Sequence, residues 1–138
     1  MRLSSDREGQ KAEFLARHGL ADAERVPLAG DASTRRYERL KRSGKASLIF
    51  MDQPPVESAP CPPEATPGQR RLSGYNAMAR LAAGRVDAFV ATAEWLRGQG
   101  FSAPEIVAHE AGEGLAGLED LGDDLYARLI EGGTDEAP

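Results

Sequence analysis

Cysteine is nearly missing from this sequence. The single Cys61 leaves no internal disulfide to form and no cysteine-based metal spacing. Long apolar runs are missing as well. Nothing approaches the roughly 18 residues of a membrane helix, and the opening Met1-Arg2-Leu3-Ser4-Ser5-Asp6-Arg7 has no apolar centre of the kind a signal peptide carries. There is no surplus of positive charge: 17 Lys and Arg stand against 22 Asp and Glu, a net −5, which argues against a general nucleic-acid binder. No internal repeat is visible. These absences leave a cytoplasmic chain with neither a nucleic-acid nor a membrane partner as the default. What is present, 138 residues of which 41 % are apolar and 28 % charged, suffices for one small domain or one lobe of a larger protein.

The local patterns predict an α+β order. Residues 5 to 18 read as a helix with Ser5 or Asp6 as cap, Phe14, Leu15 and His18 at helical spacing, and Gly19 at the stop. Arg25 to Ala29 reads as a short strand that Pro27 confines to a sheet edge. After the turn Gly30-Asp31-Ala32-Ser33, Thr34 to Arg42 and Ala46 to Asp52 form two strands. The turn Ser43-Gly44-Lys45 between them implies an antiparallel hairpin. The stretch 53–72 is dense in proline and reads as an irregular loop. A short helix is expected from Gly74 to Ala83. The clearest helix is Val86 to Gln99, where Val86, Phe89, Val90, Ala93 and Leu96 make one apolar stripe and Gly100 ends it. Pro104 to Glu110 and Leu115 to Leu121 complete five strands, and Asp123 caps a last helix from Asp124 to Ile130. An antiparallel sheet carrying one main helix is a layered α+β arrangement.

The segment Ala29-Gly30-Asp31-Ala32-Ser33-Thr34-Arg35-Arg36-Tyr37 poses the first functional question. A tight turn of small residues followed by paired arginines on a strand suits a cradle for phosphate; it equally suits a solvated turn on an exposed strand. Taken with "LIFMDQPP" and "GLEDLGDDLY", it resembles the N-terminal lobe of the aminoglycoside phosphotransferase and choline kinase-like family, which has the protein-kinase two-lobe fold. Within that family the three segments look like those of bacterial sugar kinases that phosphorylate N-acetylmuramate and N-acetylglucosamine at the anomeric hydroxyl. The resemblance covers roughly residues 10 to 131.

The resemblance implies roles. Gly30, Asp31, Ala32 and Ser33 would form the nucleotide-binding loop, whose small residues let backbone N–H groups approach phosphates. The third strand of the family carries a cation for the α- and β-phosphates, but here that position is Met51, which cannot hold phosphate. A three-residue hairpin turn would set Arg35 and Tyr37 on the face of Met51 and Arg36 on the other. Arginine forks suit phosphate oxygens, so the role passes to Arg35 or Arg36, with Arg35 first. Ile49 and Met51 would roof the adenine or pack in the core. Glu94 would be the helix carboxylate that orients the cation; an exposed helix glutamate is the plainer reading. Residues 118–124 would be the hinge, with the Glu119 carbonyl and the Leu121 N–H meeting adenine and Leu118 lining the back of the pocket. ATP, with magnesium in the complete enzyme, is the implied cofactor, and a small hydroxyl compound, a sugar by this resemblance, is the implied acceptor.

The catalytic loop of this fold, H-x-D-x-x-x-x-N, finds no match. His18 is followed by Gly19-Leu20 and His109 by Glu110-Ala111. The expectation is therefore a nucleotide-binding lobe, residues 1–138, that lacks catalytic base and metal ligands, is inactive without a second lobe, and exposes an apolar face prone to self-association. Two other readings compete. A P-loop fails because Gly44-Lys45 is followed by Ala46 where Ser or Thr is required. A non-enzymatic α+β interaction module would use the proline-rich loop, in which Pro60 and Pro63 meet the bare P-x-x-P spacing.

Overall fold

The computed structural model describes residues 2–30, 35–55, 64–72, 85–124 and 126–133, with the side chains of 2–5 and 126–128 left aside. The elements run α1 (Arg2–Arg17), β1 (Glu24–Pro27), β2 (Arg36–Arg42), β3 (Lys45–Asp52), α2 (Pro67–Leu72), α3 (Val86–Gly98), β4 (Ile106–Glu110), β5 (Leu115–Glu119) and α4 (Tyr126–Glu131). The five strands form one antiparallel sheet in the order β1-β2-β3-β5-β4. This is the α+β architecture that the local patterns predict, and it is consistent with the N-terminal lobe of a kinase-like protein. Pro27 lies in β1 at the sheet edge, where its missing N–H costs no ladder bond.

Alternation along the strands sends side chains into two cores. One face carries Leu40, Leu48, Phe50 and Leu115, which meet Phe14, Leu15 and Leu20 from α1 and the turn after it. Phe14 and Phe50 are fully buried and stacked at 5.5 Å. Each such burial removes enough apolar surface to contribute about 1.5–3 kcal/mol. The other face carries Met51, Ala116 and Leu118 against Val86 and Val90 of α3, with Tyr37, Ile49, Phe89 and Ile106 packed at the margin. Ile106 and Ala108 are two apart yet serve opposite cores, because the β4–β5 register shifts between them and one extra residue reverses the alternation.

Several boundaries differ from the local expectation. Helix α1 starts at Arg2, so Ser5 and Asp6 lie inside it rather than capping it. Strand β2 starts at Arg36, β4 at Ile106, and α4 at Tyr126. Within the stretch 53–72, expected to be irregular, Pro67–Leu72 is helical. Its cause is local. Thr66 Oγ1 accepts the Gln69 N–H at 3.3 Å while Gln69 Oε1 accepts the Thr66 N–H at 2.9 Å. This reciprocal capping box has proline at the first helical position, where its missing donor is harmless. The helix expected over Gly74–Ala83 lies outside the described residues.

A polar network fastens α1 to the sheet. Lys11, only 5 % exposed, donates to Glu8 at 2.7 Å and Glu38 at 3.0 Å. Arg25 donates to Glu38 at 2.6 Å, and Arg7 to Asp52 at 2.6 Å and to the Glu113 carbonyl at 2.6 Å. Removing an ammonium group from water is costly unless it is paired and hydrogen-bonded in this way. Burial works to raise the Glu38 pKa, but the hydrogen bonds from Arg25 and Lys11 outweigh it and hold that carboxyl below its usual range.

Candidate active site

The α3-facing side of the sheet opens at one end into a cleft of about 560 Å³. Its walls are built in three steps. Just past β1 the Leu28 N–H donates to the Tyr37 carbonyl at 2.9 Å, and Leu28 and Ala29 form one lip. Ile49 of β3, Tyr37 and Arg39 of β2 and Leu118 of β5 form the floor. Pro104 and the segment Glu119 to Asp123 close the far side.

That far side is held by charge. Arg39 Nε donates to Asp120 Oδ2 at 2.7 Å, and its terminal nitrogens donate to Asp123 at 2.9 and 3.0 Å. Asp120 also accepts from Ser47 Oγ at 2.6 Å and from the Gly122 N–H at 2.9 Å. The hydrogen bond from Arg39, more than any other influence, holds the Asp120 carboxyl down at about 2 against the opposing effect of burial. The bonds to Asp123 and Asp120 raise the Arg39 pKa in turn. Gly122 has φ +85°, a left-handed turn that side-chain-bearing residues rarely adopt, and it lets the chain fold back so that both aspartates reach one guanidinium. Glu119 is tied elsewhere: its N–H donates to the Glu105 carbonyl at 2.8 Å, and its carboxylate accepts the Glu105 N–H at 2.9 Å.

The residues singled out from sequence separate in the structure. Ile49, Leu118, Glu119 and Leu121 come together at the cleft. Met51 is fully buried beneath it, packed with Val86, Val90, Ala116 and Leu118. Arg35 and Arg36 leave the sheet on opposite faces. Tyr37 pairs with Met51 and Arg36 with Asp52; Arg36 is exposed, while the Arg35 guanidinium lies 5.2 Å from the Phe89 ring of α3 and its Nε donates to Gln53 at 2.8 Å. Glu94 is exposed on α3, and Phe89 of the same helix is the ring beside Arg35. Gly30 is exposed at the lip, and Asp31, Ala32 and Ser33 lie outside the described residues.

Sequence reasoning missed Arg39, Asp120 and Gln53. Arg39 sits four residues after Arg35 on the same side of the strand, which was the available signal. Its partners lie 81 and 84 positions away, where no local pattern reaches. Among the described residues, no group of three His, Cys, Asp or Glu side chains could hold a metal ion, and no helix is long and apolar enough to cross a membrane.

No protein-family model matches the chain. It is similar to an N-acetylmuramate/N-acetylglucosamine kinase of Caulobacter vibrioides, with 66 % identity over 100 % of the chain and 38 % of that protein. It is also similar to an N-acetylmuramate/N-acetylglucosamine kinase of Pseudomonas aeruginosa, with 32 % identity over 81 % of the chain and 25 % of that protein. The chain thus spans well under half the length of these curated relatives. The chain is thus similar along its whole length to part of an N-acetylmuramate/N-acetylglucosamine kinase, and its five-stranded α+β fold is consistent with a kinase-like N-terminal lobe.

Proposed function

We propose that this chain is the ATP-binding lobe of a cytoplasmic small-molecule kinase whose acceptor is an amino sugar of the N-acetylmuramate or N-acetylglucosamine kind. Adenine would occupy the cleft over Ile49 and Leu118, with the Glu119 carbonyl and the Leu121 N–H as its edge partners. The observation that carries the reading is the order of side chains on one face of the β2–β3 pair. Arg39 opposite Ile49 marks the cleft, Tyr37 opposite Met51 follows, and Arg35 lies next in line beside Gln53. At about 3.3 Å per residue, Arg35 is roughly 13 Å from Arg39 along the strand, a span that suits a nucleoside at one end and its phosphates at the other.

The residues present fit the nucleotide. Ile49 and Leu118 give the floor an apolar surface, which suits a purine face, and the Arg35 cation stands beyond Tyr37 along the same strand direction, which suits phosphate. Magnesium would travel with the phosphates, and the described residues bring no carboxylate set to it. The amino-sugar acceptor is supported by the names of the two relatives alone, and no residue of this chain is assigned to it.

Arg35→Ala and Arg36→Ala, made separately in the intact protein and titrated with ATP and with adenosine, test the reading. Loss of one charge-assisted phosphate contact is worth about 1.5–3 kcal/mol, or about 10- to 150-fold in affinity. Arg35→Ala should weaken ATP by that factor and leave adenosine nearly unchanged. Unchanged ATP binding in both variants would refute the phosphate role. Failure of adenosine to bind the parent protein would refute the cleft.

A further inference from the structure

We infer that Gln53 is a positioning residue for nucleotide phosphate, acting through Arg35. The inference rests on the phosphate-binding reading of Arg35. Gln53 is a polar side chain only 1 % exposed, among the largest fully buried side chains of the protein. Buried polar groups persist where they are hydrogen-bonded, and its Oε1 accepts from Arg35 Nε at 2.8 Å.

The main chain of Gln53 is itself immobilised. Its N–H donates to the Gly114 carbonyl at 2.8 Å, and Gly114 lies so close that a Cβ there would stand 1.9 Å from the Gln53 carbonyl oxygen. Gln53 therefore presents its amide oxygen from a fixed point at the end of β3. The guanidinium carbon also stands over the Phe89 ring, 5.2 Å from its centroid, within reach of a cation–π contact. A guanidinium has its donors in one plane. An acceptor fixed at Nε and an aromatic ring beside the guanidinium carbon together restrict its orientation before any ligand arrives. Such preorganisation lowers the cost of ordering a long side chain on binding. Arg35 precedes β2, so the strand ladder alone would leave its long side chain free to sample many rotamers.

The test is a thermodynamic cycle on ATP and adenosine affinity in the intact protein. Gln53→Met keeps the volume and removes the acceptor. It should lower ATP affinity on the order of tenfold, the scale of one hydrogen bond to a charged group, with adenosine affinity unchanged. In an Arg35→Ala background the same substitution should have no further effect on ATP. An equal loss in both backgrounds, or an equal loss for adenosine, would show a merely structural role and overturn the inference. Gln53→Glu serves where Gln53→Met does not fold: it keeps an acceptor on Nε but adds a charge that competes with phosphate, so ATP affinity should fall and adenosine affinity hold. Full ATP affinity in Gln53→Glu would also overturn it. Loss of ATP affinity in Arg35→Ala alongside an unaffected Gln53→Met rejects Gln53 and keeps Arg35. An unaffected Arg35→Ala rejects both.

Discussion

Arg39 Nε and Asp120 Oδ2 are 2.7 Å apart, although 81 positions separate the two residues in the chain. The bond joins the middle of β2 to the first residue after β5, across the intervening β3. With Asp123 on the same guanidinium and Ser47 on the same carboxylate, it makes the segment beyond β5 part of the sheet's structure. In the proposed function that segment is the wall against which adenine lies.

Asp120→Ala removes the acceptor for Arg39, Ser47 and the Gly122 N–H together. The Asp120 side chain is 7 % exposed, so the donors lose more than a surface contact. Stability should fall by about 1.5–3 kcal/mol, the scale of hydrogen bonds to a charged group. Urea unfolding, read as a change in midpoint at constant slope, checks this. A midpoint equal to the parent's would mean that water replaces the carboxylate without loss.

The same carboxyl makes stability depend on acid. Its folded pKa, about 2, lies below the roughly 3.9 of a free aspartate. Between those values the unfolded chain binds the proton and the folded chain does not, so stability rises with pH through this window. The contribution is complete above about pH 4 and disappears as pH falls toward about 2. Stability measured from pH 5 downward should show a steeper acid loss in the parent than in Asp120→Asn. Parallel curves would remove Asp120 as the source.

Gly114→Ala should be costly for two separate reasons. The residue has φ +67°, and the new Cβ would meet the Gln53 carbonyl oxygen at 1.9 Å. Backbone strain and overpacking together amount to roughly 2–6 kcal/mol. The expected result is a lower Tm accompanied by weaker ATP binding, because Gln53 is the residue displaced. A Tm matching the parent's would show that the turn between β4 and β5 relaxes freely.

The 138 residues by themselves should bind nucleotide without transferring phosphate. Neither His18 nor His109 is followed by an aspartate two positions later, and positioning with electrostatic stabilisation supplies nearly all the catalysis in phosphoryl transfer. Incubation of the purified chain with ATP and N-acetylglucosamine should yield no sugar phosphate. Steady product formation would place the catalytic groups within these residues.

Local chemistry sufficed for the five strands and the main helix, and for one relationship at the site. The apolar stripe of α3, the strand-forming run Leu48-Ile49-Phe50-Met51 and the edge-placing Pro27 follow from side-chain period and backbone chemistry alone, and all three stand in the structure. The facing of Arg35 and Tyr37 toward Met51 follows from a three-residue hairpin turn. The structure reaches the same facing by another route. The turn is closed one step earlier, by the pair Arg42 and Lys45, and the extra residue is taken up inside the ladder before Leu40 meets Leu48. The facing rests on the net register, in which Tyr37 pairs with Met51: the irregularity after Leu40 offsets the tighter turn. The capping box Thr66-Pro67-Gly68-Gln69 was legible too, but proline density concealed it. Tertiary structure alone decided that Arg39 would grip Asp120 and Asp123, that Gln53 would lie buried against Arg35, and that the Phe89 ring would lie against that arginine. Each of these joins residues on different elements, and their meeting depends on strand order, register shifts and the rotation of a helix over the sheet. No period within a short window carries that information.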